Sequence, residues 1–254
     1  MSRNGTSVLG AFIDTLSWDE TIETIVSWGA AHESRYICTC NVHSVVTSTT
    51  DPELKTAING ADMSTPDGSP IAWVCRHFGH PLQERINGPD LMWRYLREAE
   101  RLGQSVYFYG STETCLANLR KSLASSFPAL IIAGTMSPPY RSLSDTEDEQ
   151  HTHAINDSGL NVLFVGLGCP KQEKWMAAHR GRVHAVMIGV GAAFDFHSGS
   201  THRAPLWMQR HSLEWLHRLC SEPRRLFKRY LTTNTRFVIG ITKQLAAKRF
   251  ARTE

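Results

Sequence analysis

From Tyr36 onward the chain alternates short, continuous apolar runs with longer amphipathic stretches. The apolar runs predict strands at Tyr36–Cys40, Ala61–Ser64, Ser105–Tyr109, Leu130–Ala133, Val162–Val165 and Ala185–Val190. They are rich in Val, Ile and aromatic residues, as strands buried on both faces are. Between them the periodicity predicts helices near 43–58, 69–79, 89–102, 112–126, 145–157 and 171–180. Pro89-Asp90 opens one helix, and Pro70 and Pro170 stand near the first turn of two others, where a missing N–H costs nothing. Strands alternating with helices imply an α/β fold: a Rossmann-like parallel sheet with helices on both faces.

Around Gly199 the texture changes. Ser198-Gly-Ser-Thr-His202 is a loop by composition. Beyond it Trp207, Met208, Leu213, Trp215, Leu216 and Leu219 interleave with Arg203, Arg210 and Arg218, and a basic run follows from Pro223 to Tyr230. The sequence therefore divides into an α/β body, 1–199, and a basic amphipathic helical appendage, 200–254. Charge sharpens the division. Residues 1–200 hold 15 Lys/Arg against 21 Asp/Glu, and residues 201–254 hold 12 against 3, which together give the net +3. A basic tail on an acidic body seeks phosphate, whether in lipid, nucleotide or nucleic acid. Basic helices are also common simply because they are solvated. The apolar and aromatic positions among these arginines favour an element that lies on an anionic membrane surface.

The remaining composition narrows the class. With 254 residues, 41% hydrophobic and 20% charged, the chain can bury one sizeable core. Cys38 and Cys40 have neither zinc-finger nor thioredoxin spacing; they are expected on opposite strand faces, as buried reduced thiols. Residues 1–14 lack the apolar region of a signal peptide, and no run reaches the ~20 apolar residues that span a bilayer. A cytoplasmic protein, soluble or peripheral on the membrane, is expected.

In open α/β sheets ligands bind beyond the carboxyl ends of the strands. Those positions hold Thr39-Cys-Asn41-Val-His43, Pro66-Asp67-Gly68, Gly110-Ser-Thr112, Gly166-Leu-Gly168-Cys-Pro-Lys171-Gln172-Glu173 and Gly191-Ala-Ala-Phe-Asp195. Asp67 reads either as a turn carboxylate or as a general base that a rigid turn aims into a cleft. The 166–173 segment is a glycine turn entering a helix, which either eases a sharp turn or offers backbone N–H groups, with Lys171 and Gln172, to phosphate. Arg85 reads as a surface ion-pair partner or a phosphate ligand. No cofactor is expected: neither glycine segment is G-x-G-x-x-G, and no acid stands at the ribose position of an NAD site. No metal is expected either, since His77/His80 and His151/His153 lack a third ligand and no D-x-D is present.

Nine motifs in register then resemble the WecG/TagA/CpsF family of glycosyltransferases. They are Asn41 with His43; Ala61-Asp62 leading to Thr65-Pro-Asp-Gly68; Arg85-Ile-Asn-Gly-Pro-Asp90; Gly134 with Ser137-Pro-Pro-Tyr-Arg141; Gly166 to Glu173; Gly189-Val-Gly-Ala-Ala-Phe-Asp195; Arg203-Ala-Pro205; Leu213-Glu-Trp-Leu216; and Glu222-Pro-Arg-Arg225. The resemblance implies an inverting, metal-independent transferase that uses a UDP-sugar and a polyprenyl-diphosphate-linked acceptor in surface-polymer assembly. It implies an appendage that docks on the inner face of the membrane and closes the site. Asp67 matches the family's proposed base; Thr39 and Asn41 match pocket residues, with Thr39 placed beside Asp67 in the catalytic pair. Arg85 matches a pocket arginine, Gln172 a residue near the nucleotide-sugar, and Arg218 and Arg225 the diphosphate- and lipid-binding arginines. Lys228 stands where a further basic residue is usual.

The runs Pro66-Asp-Gly-Ser-Pro-Ile71 and Ser137–Arg141 depart from the pattern of N-acetylmannosaminyl transferases and resemble the GumM-like glucosyltransferase branch, so glucose and N-acetylmannosamine both stand as donors. On this reading Asp67 deprotonates the acceptor hydroxyl, while Gly168–Lys171 amides and appendage arginines stabilise departing UDP. The alternatives are a nucleotide-dependent oxidoreductase on the same layered fold and a non-enzymatic basic module; a nucleic-acid partner is not expected. Oligomeric state is left open by the sequence.

Overall fold

The computed structural model describes residues 3–250, and of Arg225, Arg249 and Phe250 the backbone alone. The chain opens with a hairpin, β1 (Gly5–Val8) and β2 (Ala11–Asp14), then α1 (Trp18–Ala30). The apolar pattern predicts no element before Tyr36. Yet Ser17 and Glu20 form a reciprocal capping box at the start of α1, a local signal readable from the sequence.

The body continues through β3 (Arg35–Cys40), α2 (Val42–Ser48), α3 (Pro52–Gly60), β4 (Met63–Pro66), α4 (Ser69–His77), α5 (Gly88–Leu102), β5 (Ser105–Gly110) and α6 (Glu113–Ser126). Next come β6 (Ile131–Met136), α7 (Asp145–Asp157), β7 (Val162–Gly166), α8 (Lys171–His179), β8 (Val186–Gly189) and α9 (Ala193–His197). Several boundaries differ from expectation, among them the strand expected at 130–133, which runs from 131 to 136, and two that bear on the site. The helix expected over 43–58 is two helices, because Pro52 at the first turn and Asp51, whose Oδ1 accepts the Leu54 N–H, start a new one. The strand expected at 61–64 lies at 63–66, so Asp67 follows it directly.

The six strands β3 to β8 form one parallel sheet in the order β4-β3-β8-β7-β5-β6. This is a Rossmann-like layering with its own strand order. Strand side chains alternate between two cores. Tyr36, Cys38, Cys40, Tyr107, Tyr109, Leu163 and Val165 pack with residues of α2, α3, α8 and the C-terminal helix. Ile37, Val106, Phe108, Phe164 and Ile188 pack with α5, α6 and α9. Cys38 and Cys40 therefore share one face, as residues two apart on a strand must, and the expected opposition of the two is corrected; both are buried free thiols.

Crossovers from β5 and β7 leave toward opposite faces, to α6 and α8, which opens a crevice at the carboxyl ends of these neighbouring strands. At that point Gly110 has φ +121°, and a Cβ there would lie 2.6 Å from the Gly166 carbonyl carbon and oxygen. Only glycine permits both.

After α9 the chain forms α10 (Leu206–Arg210), α11 (Glu214–Ser221) and the long α12 (Pro223–Phe250). Helix α12 buries Leu226, Phe237 and Ile241. Gln244 Nε2 donates to the Ser7 carbonyl and its Oε1 accepts the Leu9 N–H, while Lys248 Nζ donates to the Phe78 carbonyl. The helix is thereby fixed against the β1–β2 hairpin and the end of α4. Among the described residues no helix is long and apolar enough to cross a membrane.

Gly110→Ala should lower stability by about 2–5 kcal/mol, combining backbone strain with overpacking. Urea unfolding midpoints of the variant and the wild type measure it.

Candidate active site

A cleft of about 1460 Å³ opens at the crevice, larger than the ~300–1,000 Å³ of most small-molecule pockets. Its lining includes Thr39, Asn41, Asp67, Arg85, Gly168, Lys171, Gln172 and Arg218, brought from the ends of β3, β4 and β7, from the segment before α5, and from α8 and α11. Of the other two basic positions singled out in the sequence, the Arg225 side chain lies outside the described residues. Lys228 is exposed on α12 and is not part of the lining.

Asp67 is held by its backbone. Its N–H donates to the Cys40 carbonyl at 2.9 Å, locking the turn after β4 to the end of β3. Its Oδ2 accepts from Asn41 Nδ2 at 3.2 Å, and Asn41 Oδ1 in turn caps α2 by accepting the Ser44 N–H. Burial pushes the Asp67 carboxyl above its ordinary value, and the nearby Arg85 charge and the Asn41 hydrogen bond only partly reverse this. The result is a carboxylate of raised basicity on the cleft wall.

Thr39 is nearly buried on the cleft floor, and its Oγ1 donates to the Gly189 carbonyl at 2.7 Å. Its proton thus ties β3 to β8. Gln172 has a comparable internal task. Its Oε1 accepts the Gly168 and Gly191 N–H groups, each at 3.2 Å, and clasps the turns after β7 and β8. The Gly168 N–H is spent on that clasp. Gln172 Nε2 donates to Glu173 Oε1 at 3.0 Å; Glu173 is 1% exposed, and burial raises its carboxyl. Lys171 is exposed, with its ammonium 5.2 Å from the Tyr140 ring centroid.

Arg85 fits its ion-pair reading. Nε donates to the Asp67 backbone carbonyl at 2.6 Å, and Nη2 meets Glu214 Oε2 at 2.7 Å. Glu214 Oε1 takes Arg203 Nε at 3.0 Å, and Arg203 Nη2 reaches Asp90 Oδ2 at 3.0 Å. Burial pushes both acids up, but the arginines outweigh it and hold Glu214 and Asp90 below their ordinary values. Glu214, Arg203 and Asp90 stand in the sequence motifs, but their spacing gives no sign of the network they form. An acid on an appendage carries no sequence signal of which distant arginine it meets.

Arg229 was also missed. It lies on α12, lines the cleft, and with Arg218 has an Nε that meets no hydrogen-bond partner among the described residues. Both guanidinia sit against aromatic rings, Arg218 over Phe196 at 5.5 Å and Arg229 over Tyr230 at 5.6 Å. His43, on the first turn of α2, is held below its ordinary value by burial and by Arg229. One lining thus carries a carboxylate of raised basicity and two arginines that meet no acidic partner among the described residues, groups able to receive a hydroxyl and a polyanion together. Among the described residues no three His, Cys, Asp or Glu side chains gather as a metal site.

Fold and cleft define a class: a doubly wound α/β protein whose cleft opens at its strand ends and is lined by a carboxylate and several arginines. A family model described as "Glycosyl transferase WecG/TagA/CpsF family" matches residues 6–251. An N-acetylglucosaminyldiphosphoundecaprenol N-acetyl-beta-D-mannosaminyltransferase of Bacillus spizizenii strain W23 is 31% identical over 195 residues, covering 76% of this chain and 74% of that protein. A protein of the same name from Staphylococcus aureus strain MW2 is 28% identical over 222 residues, 86% and 85% of the two chains. The chain belongs to the WecG/TagA/CpsF family of glycosyltransferases.

Removing Glu214 should loosen α11 from the body. Glu214→Ala leaves the partly buried Arg85 without a carboxylate partner and Arg203 with Asp90 alone, at about 2–3 kcal/mol. The same link is acid-sensitive. Both acids titrate lower folded than unfolded, so their stabilisation is complete above the unfolded values and fades as pH drops through the folded ones. Hydrogen-exchange protection of residues 203–221 should hold at pH 7 and fall below about pH 4.

Proposed function

We propose that the protein is an inverting transferase that moves a hexose or N-acetylhexosamine from a UDP-sugar to a polyprenyl-diphosphate-linked saccharide, with Asp67 as general base. One observation carries the reading: Asp67, fixed by Asn41 and by Arg85 on its own backbone carbonyl, shares a single cleft with Arg218 and Arg229. The attacking hydroxyl loses its proton to Asp67 as its oxygen bonds to the anomeric carbon and the UDP oxygen leaves. Arg218, Arg229 and Lys171 offset the diphosphate charge. The Gly168 amide is engaged by Gln172, so leaving-group stabilisation falls to these cations rather than to that N–H. Thr39 and Gln172 shape the pocket through the backbone groups they hold.

The relatives' names favour N-acetylmannosamine as the sugar and an N-acetylglucosaminyl-diphosphate lipid as acceptor. The departures at Ser69-Pro70 and 137–141 keep glucose as the second donor to be tested. Residues 200–254 serve as the membrane-docking element on the cytoplasmic side. Its exposed Leu206, Trp207, Phe227, Leu231 and Ile239 stand among Arg210, Arg224, Lys228, Arg236 and Lys243, a composition suited to an anionic interface.

Asp67→Asn should fold and bind UDP almost normally while turnover falls by about 10²-fold or more; near-normal turnover would remove Asp67 as base. Because burial raises this carboxyl, the acid limb of the wild-type kcat/KM profile should lie above the ordinary carboxylate range. Mass spectrometry of products from a panel of UDP-sugars identifies the donor. Phe227→Asp combined with Leu231→Asp should abolish flotation with anionic liposomes and leave folding intact. Deleting the whole segment is a poorer test, because α12 supplies Leu226, Phe237 and Ile241 to the interior.

A further inference from the structure

The cleft does not end at the arginines. Its wall continues along one face of α12, and the side chains there change character in order. Arg229, Tyr230, Thr233 and Asn234 come first, then Phe237, Val238, Ile241, Thr242 and Leu245. Spacings of three and four keep them on one helix face. The face from Arg229 to Leu245 is roughly 24 Å long at 1.5 Å per residue. The opposing lining comes from α2, with Val42, and from α4, with Pro70 and Trp73. Helix α12 is held along this course at its far end, where the Lys248 ammonium sits 4.1 Å from the Phe78 ring centroid at the end of α4. Val238 is 62% exposed and Trp73 43% exposed, so the groove leaves large apolar surface open to water.

A nucleotide-sugar is polar along its whole length and gains nothing from that stretch. A molecule with a sugar, then a diphosphate, then a hydrocarbon chain matches the observed order: Asp67 and Asn41, then Arg218 and Arg229, then Val238, Leu245 and Trp73, beneath which Phe237 and Ile241 are buried in the core. We infer that the groove between α12 and α4 holds the first isoprene units of the acceptor lipid, which therefore enters protein rather than remaining wholly in the bilayer. The inference rests on the acceptor reading above and adds a binding surface to it. The arginines, lacking acidic partners among the described residues, set the register by fixing the diphosphate. The apolar wall then rewards each methylene covered, an effect that accumulates with chain length until the groove is filled.

The test is calorimetric binding in buffer without membrane or detergent, using inorganic diphosphate and farnesyl diphosphate as probes on the full chain. Farnesyl diphosphate should bind at least about tenfold tighter than inorganic diphosphate to the wild type. Val238→Asp and Trp73→Ala, both at exposed positions, should each erase most of that preference while leaving inorganic diphosphate binding unchanged. Arg229→Gln should weaken both probes alike. Phe227→Asp, on the outward side of α12, should leave the preference intact. Equal affinity of the two probes for the wild type would overturn the inference, as would a preference that survives both groove substitutions or is lost equally with Phe227→Asp. Failure of the transferase reading would show separately, as absence of sugar transfer from any UDP-sugar, whatever the probe affinities.

Discussion

The double salt link of Glu214, to Arg85 on one side and Arg203 on the other, is the contact on which the site's assembly depends. Arg85 holds the Asp67 backbone carbonyl with its Nε, so one guanidinium spans the turn that carries the carboxylate and the helix that carries Glu214. Arg203 extends the chain of charges to Asp90 at the start of α5. The network crosses from the sheet to the C-terminal helices through partly buried ion pairs, where attraction is less screened than at the surface. Without it the C-terminal segment would still have the apolar contacts of α12, but α11 and Arg218 would lose their registration over the cleft.

That arrangement separates two electrostatic environments within one cavity. Asp67 is buried enough to gain basicity, and Arg85, which could have reversed the shift, divides its charge between Asp67 and Glu214. Arg218 and Arg229 lie in the same cleft, held against aromatic rings rather than carboxylates. A cleft with its cations already neutralised would have little to offer a diphosphate. Arg85 and Arg203 are neutralised by carboxylates, whereas Arg218 and Arg229 meet none among the described residues.

Much of this was legible from residue pattern. Six apolar runs located six parallel strands; the four interior ones are apolar because both faces are covered, while the edge strand β6, expected to be buried on both faces, is only partly buried. The strand-end rule brought Thr39, Asn41, Asp67, Gly168 and Gln172 to one lining because the sheet is parallel. The C-terminal charge asymmetry located α10 to α12. What was not legible has physical causes. The β1–β2 hairpin is two four-residue strands, too short for a periodic pattern to stand out although Val8, Ala11 and Ile13 are buried. The internal hydrogen bonds of Thr39 and Gln172 depend on β8 lying beside β3 and β7, an order that no local pattern encodes. Glu214 and Arg229 acquire meaning only when distant helices meet, so composition marked their segment but not their partners.

The central claim is a direct displacement at the anomeric carbon with Asp67 as base and no covalent intermediate. Nuclear magnetic resonance of the first-formed product, with a donor of known anomeric configuration, tests it most directly. Inversion at that carbon is the predicted result. Retention would require a second displacement or attack on the leaving-group face, and either would contradict a single back-side displacement assisted by Asp67.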